Sequence, residues 1–506
     1  MSIISENLFT EKLTQLERLA NWSLHVISKF ETFIRIADDY SLFRVDPVQY
    51  AVEKGINENE AIDLFLHAAK LRLFDMEWNL ICKCCGEVFT SLRGIGKVQT
   101  HFVCNTCGAE NDLQLDDFIQ VSFTIAPSIR ENIFHHPDKL SAEDYLFRYR
   151  LSKGIVHQPD NLPNIDFMKK HTCALAYLDA SASVSLNVET TPGLFYAGDV
   201  LHNSMLTLLL DRGEQVETSF SVAFDSPGMK ITDLECHEQN TTVHNDHSVK
   251  NYNFSHFARA SAGRFHLKFN NQLSEKACLW IFDAPADGSD SWLEFPIFLS
   301  GKRLLTTQTF RDLYRSEVID AKEGLRIRDI TFLFTDLKGS TALYDQLGDL
   351  KAYRLVSEHF DALNRVIVKH SGAVVKTIGD AVMASFSTPL QGMRAALETF
   401  GAIDEFNQGR DEKLILKIGL HTGHSIAVTL NERLDYFGQT VNIASRIQQM
   451  ADANEIYISS EVYSHNGVHE LLASRNISPM QANVKGVSGM LQVYKISSVE
   501  AVSREL

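Results

Sequence analysis

Two aspartates, Asp336 and Asp380, stand where strand-like runs meet small-residue turns. Residues 330–334 form an apolar run that ends at Thr335-Asp336. The Gly339-Ser340-Thr341 turn after it opens an amphipathic stretch, which offers free helix N–H groups to a phosphate. Ile378-Gly379-Asp380 lies between apolar runs at 373–375 and 381–386 and reads as a hairpin turn. Two carboxylates at neighbouring strand ends, beside such amides, are what two divalent cations holding a triphosphate require. Asn442 and Arg446, at i and i+4 of a helical stretch, project from one face. Each feature alone has a commonplace structural reading, as a cap, a turn or a solvated helix face. Their joint presence points to chemistry.

A second constellation is made of thiols. Five of the eight cysteines crowd into 82–107, and Cys82, Cys85, Cys104 and Cys107 give C-x2-C-x18-C-x2-C. At that spacing two tight turns deliver four thiolates to a structural Zn2+. Gly86 and Gly108 follow the second cysteine of each pair, where a knuckle turn needs positive φ. A crowded cysteine set suits a metal site in a reducing compartment better than a disulfide framework.

The elements that position these groups follow from the patterning. A chain of 506 residues predicts roughly three domains at ~150 residues each. Helical periodicity covers much of 10–75, so 1–78 reads as a helical unit, with paired helices the plainer reading than a winged helix. Residues 79–122 form the zinc ribbon. Alternating runs through 123–305 predict a β-rich regulatory region of sandwich type. Phe310, Leu313, Tyr314 and Val318 mark one stripe of a helical linker over 306–326. Residues 327–498 alternate β and α, an α/β domain. His237, His244 and His247 follow no ligand spacing and read as surface residues. Net charge is −16, and across 70–97 the basic residues Lys70, Arg72, Lys83, Arg93 and Lys97 only slightly outnumber Asp75, Glu77 and Glu87, which argues against nucleic acid as a partner. No apolar run approaches the ~18 residues of a membrane span and no signal peptide is visible at the N-terminus, so the expectation is a cytoplasmic protein with no membrane partner.

Four ordered motifs carry a resemblance. Phe334-Thr335-Asp336-Leu337-Lys338-Gly339-Ser340-Thr341, Lys376-Thr377-Ile378-Gly379-Asp380, Gly419-Leu420-His421-Thr422-Gly423 and the run from Asp435 through Tyr436-Phe437-Gly438-Gln439-Thr440-Val441-Asn442 to Arg446 resemble the successive motifs of class III nucleotidyl cyclases. The resemblance spans about 327–498 and implies a ferredoxin-like βαββαβ catalytic domain. It assigns Asp336, Asp380 and the Leu337 carbonyl to two Mg2+ or Mn2+ ions per site, and Gly339, Ser340 and Thr341 to the turn beneath the phosphates. Lys376 and Asp435 match the pair that recognises adenine; an ammonium donates to adenine N1 and a carboxylate accepts from the 6-amino group. A shift of register would also let the lysine face a guanine carbonyl. Asn442 matches the residue that orients the ribose, Arg446 the one that neutralises charge on the phosphate, and Lys485 the remaining phosphate-binding lysine.

The implied function is adenylate cyclase: ATP gives 3′,5′-cyclic AMP and pyrophosphate in a homodimer with composite sites, controlled by the N-terminal region. The N-terminal 305 residues resemble the zinc-ribbon-containing regions before some bacterial cyclase domains. Competing readings are a guanylate or pyrimidine nucleotide cyclase, and a zinc-ribbon protein that binds nucleic acid and uses the cyclase domain as a nucleotide sensor. The segment between Gly423 and Asp435 is shorter than the dimerisation arm of many family members.

Overall fold

A computed structural model describes residues 4–104, 106–225, 228–236, 258–285, 292–315, 319, 324–430, 433–483 and 489–500. The chain opens with helices α1 (Glu6–Leu19), α2 (Val26–Ile36), α3 (Pro47–Lys54) and α4 (Glu58–Lys70). Asp46 caps α3 by accepting from the amides of Val48 and Gln49, and Pro47 occupies the first turn, where its missing N–H costs nothing. Strands β1 (Phe74–Ile81), β2 (Val88–Leu92), β3 (His101–Val103), β4 (Glu110–Asp112) and β5 (Ile119–Ile125) follow. β5 returns to pair with β1, and the small β3–β4 hairpin stands apart with the cysteines.

The next region is β-rich, as its alternation predicts, and carries β6 (Val156–Gln158), β7 (Leu162–Pro163), α5 (Asn164–Lys170), β8 (Thr172–Leu178), β9 (Ser183–Glu189), β10 (Gly193–Asp199), β11 (Ser204–Asp225), β12 (Gly228–Cys236), β13 (Ala258–Asn271), β14 (Ala277–Pro285) and β15 (Trp292–Glu294). Where two facing sheets were expected, seven of these strands form one sheet in the order β8-β14-β10-β11-β13-β9, with β12 on β11. Leu178 and Val188, from the strands at opposite ends of that order, enter the same buried cluster as Phe195, Phe220 and Phe265. The sheet therefore curls over its own core, which the 22-residue β11 makes possible by pairing with three neighbours. His237, His244 and His247 lie outside the described residues.

After α6 (Gly301–Leu305) and α7 (Gln308–Leu313) comes the C-terminal α/β domain. Its elements are β16 (Leu325–Leu337), α8 (Ser340–Leu347), α9 (Asp349–Lys369), β17 (Gly372–Ile378), β18 (Ala381–Phe386), α10 (Pro389–Asn407), β19 (Leu416–Leu430), β20 (Arg433–Phe437), α11 (Gln439–Met450), β21 (Glu455–Ser459), α12 (Ser460–Tyr463), α13 (Asn466–Leu471), β22 (Arg475–Asn483) and β23 (Met490–Glu500). The amphipathic stretch that opens at the Gly339-Ser340-Thr341 turn forms two helices, α8 and α9, broken at Gly348, whose φ of +73° no β-carbon-bearing residue adopts readily. Sheet order is β17-β18-β16-β19-β21-β23-β22, with β20 on β19; the β19–β21 pair is parallel.

The central strand β16 shows how the domain is layered. Leu333 and Leu337 point into a core with α9 and α10, while Phe332 and Phe334 point the other way. That second face meets α11 and is also continuous with the N-terminal core: Phe332, Phe334, Met383 and Tyr436 share a cluster with Trp78 and Phe310. Phe310, from the predicted linker stripe, packs edge-on against Trp78 and stacks on Tyr314; Val318 lies outside the described residues. No described helix is long and apolar enough to cross a membrane.

Candidate functional site

The metal-type carboxylates meet as the strand register requires. Thr335 pairs with Val382, which puts Asp336 at the end of β16 beside the β17–β18 turn. That turn has two residues, because Ile378 pairs with Ala381; Gly379 takes φ of +64° and Asp380 follows. Asp380 Oδ2 is buried without a hydrogen-bond partner, an arrangement that suits a cation ligand. Asp336 pairs with Lys417, directly opposite it on β19. The sequence reading missed Lys417, although a lone lysine in the apolar run Leu416-Lys417-Ile418 was a signal. It also missed His359 on α9, whose Nδ1–H donates to the Val356 carbonyl at 2.5 Å and whose Nε2 is buried and unpartnered. Burial pushes that imidazole down. Gly339 reaches φ of +76° with open space around it and starts α8, leaving Ser340 and Thr341 on its first turn.

The base-recognition pair is assembled too. A bulge at Val375, between the Val374 and Lys376 pairings, re-aims the edge strand. Lys376 Nζ then reaches Asp435 Oδ2 at 2.5 Å, while Asp435 Oδ1 accepts from the Tyr436 amide at 2.8 Å. The Asp435 side chain is 12 % exposed and that of Lys376 41 %. The N-terminal region holds this corner from outside. Gln308 of α7 accepts from the Val374 amide, Arg311 donates to the Leu434 carbonyl, and the Tyr436 hydroxyl donates to the Leu305 carbonyl.

Asn442 and Arg446 share one face of α11, and neither is tied to another described residue by a hydrogen bond or ion pair. Helix position comes from glycines: a Cβ on Gly419 would lie 2.3 Å from the Gln448 backbone nitrogen, and one on Gly423 3.0 Å from Thr440 Oγ1. The Gly-Leu-His-Thr-Gly motif is therefore the seat of α11. Its His421 is buried, bonded to Ser459 at 2.8 Å, and pushed down to about 4 by that burial. Lys485 lies outside the described residues. Among the described residues no hydrogen bond or ion pair joins the three groups, Asp336/Asp380, Lys376/Asp435 and Asn442/Arg446.

The cysteines converge. Cys82, Cys85, Cys104 and Cys107 place all their sulfurs within 4.8 Å of one another, with Cys82–Cys107 and Cys85–Cys104 both at 3.6 Å. Four sulfurs ~2.3 Å from one zinc would stand ~3.8 Å apart, so the donor set fits that ion. The two knuckles are alike: the Gly86 amide donates to the Cys82 carbonyl and the Gly108 amide to the Cys104 carbonyl, both at 2.9 Å, with both glycines at positive φ. Cys84 and Asn111 donate N–H groups to Cys82 Sγ. The neighbouring thiols of Cys104 and Cys107 hold the Cys82 thiol far below its usual range, and the Cys104 S–H donates to Glu87 Oε2 at 2.9 Å.

Comparison with known proteins now adds to this geometry. The family model "Adenylate and Guanylate cyclase catalytic domain" matches residues 324–497. Residues 324–497 are a class III cyclase domain. A family of unknown function matches 9–205 of the same chain. The cyclase domain is similar to an adenylate cyclase of Anabaena cylindrica (26 % identical; 34 % of this chain, 37 % of the relative) and to guanylate cyclase 2G of Mus musculus (30 %; 27 % and 14 %). Thus the chain spans 37 % of the length of the first of these curated relatives and 14 % of the second. Among solved structures, the adenylyl cyclase CyaB from P. aeruginosa is 25 % identical over 36 % of this chain and 99 % of that one, with TM-score 0.31.

Proposed function

We propose that this chain is a nucleotidyl cyclase with ATP as its substrate, forming 3′,5′-cyclic AMP and pyrophosphate. The observation that carries the reading is the Lys376–Asp435 pair, because an adjacent donor and acceptor match adenine N1 and its 6-amino group. Relatives of both the adenylate and the guanylate kind resemble the domain, so GTP is the second reading. Asp336, Asp380 and the Leu337 carbonyl would hold two Mg2+ or Mn2+ ions, which when bound lower the pKa of the ribose 3′-hydroxyl and offset phosphate charge. The chain's own residues do the rest. The first turn of α8, with Gly339, Ser340 and Thr341, faces the phosphates. Asn442 orients the ribose, and Arg446 with Lys485 balances charge that grows as the 3′-oxygen attacks the α-phosphorus and pyrophosphate leaves. Lys417 occupies Asp336 and must yield when the carboxylate takes up a cation.

We infer further that the functional unit is a homodimer. In one chain no hydrogen bond or ion pair among the described residues joins the three groups; a second copy would complete each site, and two-fold symmetry would give two equivalent composite sites. The Cys82/Cys85/Cys104/Cys107 set is assigned to a structural Zn2+. Regulation would pass from the N-terminal units (1–78, 79–122, 123–305 and the linker 306–326) to the cyclase domain (327–498) through α7 at the Lys376–Asp435 corner. The chain is assigned to the cytoplasm, where thiols stay reduced.

The test is to incubate the full chain with each of the four nucleoside triphosphates and Mg2+ or Mn2+, and to identify products by mass spectrometry. Cyclic AMP from ATP alone is expected. The Lys376→Glu/Asp435→Cys double variant should shift preference towards GTP; an unchanged base preference would overturn the adenine assignment.

A further inference from the structure

Beside the cysteine knuckle, with Val88 and Ser152 in its wall and no residue of the catalytic sheet, the N-terminal helices line a cavity of about 740 Å³, a size that houses a small organic ligand. Its walls come from α2, from α3 and from the segment 148–154, with Phe33, Tyr40, Phe43 and Tyr50 as apolar surface. The floor is cationic. Arg44 is only 8 % exposed; its two terminal nitrogens donate to the Tyr149 carbonyl and to Ser91 Oγ, and its Nε, also buried, has no partner. Arg44 sits at φ of +45°, a strained conformation for a residue with a side chain. Beside it the Lys153 ammonium donates to the carbonyls of Tyr40 and Phe43, and lies over the Tyr40 ring at 4.3 Å.

Neither cation is paired with a carboxylate among the described residues. The acids nearby are otherwise engaged or remote. Asp46 accepts from the amides of Val48, Gln49 and Leu299 and from Gln120; Asp38 accepts from the Ser41 amide; Glu77 accepts from Thr124; Glu53 stands exposed at the rim. Burial, and the Arg44 charge next, push Lys153 down to about 7. The hydroxyls of Tyr40 and Tyr50 are likewise buried without partners. Two adjacent buried cations with no ion-pair partner among the described residues, a guanidinium Nε without a partner and two unpartnered hydroxyls, all on residues around one cavity, point to what is missing: an oxyanion with an apolar body.

We propose that this cavity binds a small organic anion, its carboxylate or phosphate held by the Arg44 guanidinium and the Lys153 ammonium and its body lying against Phe33, Tyr40 and Tyr50. None of these residues belongs to the cyclase site, so the site is distinct from that of the nucleotide substrate. The site also lies within the stretch matched by a family of unknown function, 9–205, apart from Pro296 on its rim.

The experiment is calorimetric titration of the full chain with benzoate, phenyl phosphate and inorganic phosphate as probes. Benzoate or phenyl phosphate should bind, and inorganic phosphate more weakly, because it lacks the apolar body. A response to benzoate alone identifies a carboxylate ligand, one to phenyl phosphate alone a phosphate ligand, and both outcomes support the site. Loss of one charged hydrogen bond in Lys153→Met should weaken binding about tenfold or more, with Lys153→Arg retaining most of it. Arg44→Gln should act likewise; should that variant not fold, the Lys153 pair decides alone. No heat from any of the three probes at millimolar concentration, or affinity unchanged in Lys153→Met, overturns the proposal.

Discussion

The cysteine knuckle and the catalytic face are both built from turns that present ligand atoms, yet they reach different degrees of completeness in one chain. At the knuckle two like turns, each with a glycine at positive φ, bring four sulfurs to within 4.8 Å of one another. On the catalytic sheet the equivalent groups stay in three sets: two aspartates at strand ends, a Lys–Asp pair at the β17 edge, and an Asn/Arg face on α11. A site whose ligands come from one hairpin pair is finished by folding. One whose groups sit on a central strand end, an edge strand and a helix face is proposed to be finished by assembly, which would give it a place for control.

The sharpest way to break this comparison is Asp336→Ala. With its cation ligand gone, turnover should fall roughly a thousandfold or more, the several kcal/mol a bound metal supplies, while the chain stays folded. A steady-state assay with a circular dichroism melt checks both halves, and undiminished turnover would remove the carboxylates from the mechanism. Next in size is the knuckle. Cys107→Ser should release bound zinc, measured by emission spectrometry, and lower the melting temperature, since structural zinc contributes free energy of order 10 kcal/mol in isolated fingers. A protein that retains its melting temperature without metal would show the cysteines to be simply packed thiols.

A mixing experiment separates completion by folding from completion by assembly. Asp336→Ala and Arg446→Ala should each be inactive. Co-expressed in equal amounts, they should recover up to about a quarter of wild-type activity, because half the dimers are mixed and each mixed dimer has one intact site of two. No recovery would mean that each chain builds its whole site alone.

The smallest expected effect lies at the joint between the regions. Asp63 on α4 faces α7, and burial raises its carboxyl to about 6, with the Thr309 hydroxyl pulling it back. An acid with a raised folded pKa holds its proton longer in the native state. Its penalty is therefore absent below pH ~4, grows as pH rises through about 6, and is fully present above that. Asp63→Asn should stabilise the chain above pH 7 by at most about 2–3 kcal/mol and leave it unchanged near pH 4. Melting temperatures across pH measure this; a gain of equal size at every pH would rule the titration out.

Much of both sites was legible because it is local. The Cys-x2-Cys knuckles, the Gly379-Asp380 turn and the i, i+4 pair on α11 each depend on a few consecutive residues. So do the apolar run of β16 and its small-residue turn. Lys417 and His359 were not legible as site neighbours, since one meets Asp336 only through strand pairing and the other approaches Asp380 only by helix packing. The β-rich region expected as a sandwich is one sheet folded over its own core, for the same reason: alternation marks strands but not which edges join, and one 22-residue strand lets a single sheet curl.

Sequence alone determined the cyclase motifs, the cysteine spacing and the order of the elements, because each is set by short-range sterics and side-chain periodicity. Tertiary structure alone decided three things: the bulge at Val375 that lets Lys376 reach Asp435, the packing of α7 against that corner, and the meeting of Arg44 and Lys153 across more than a hundred residues of chain. Each depends on contacts between distant segments, whose closure is governed by the whole core and not by any local run.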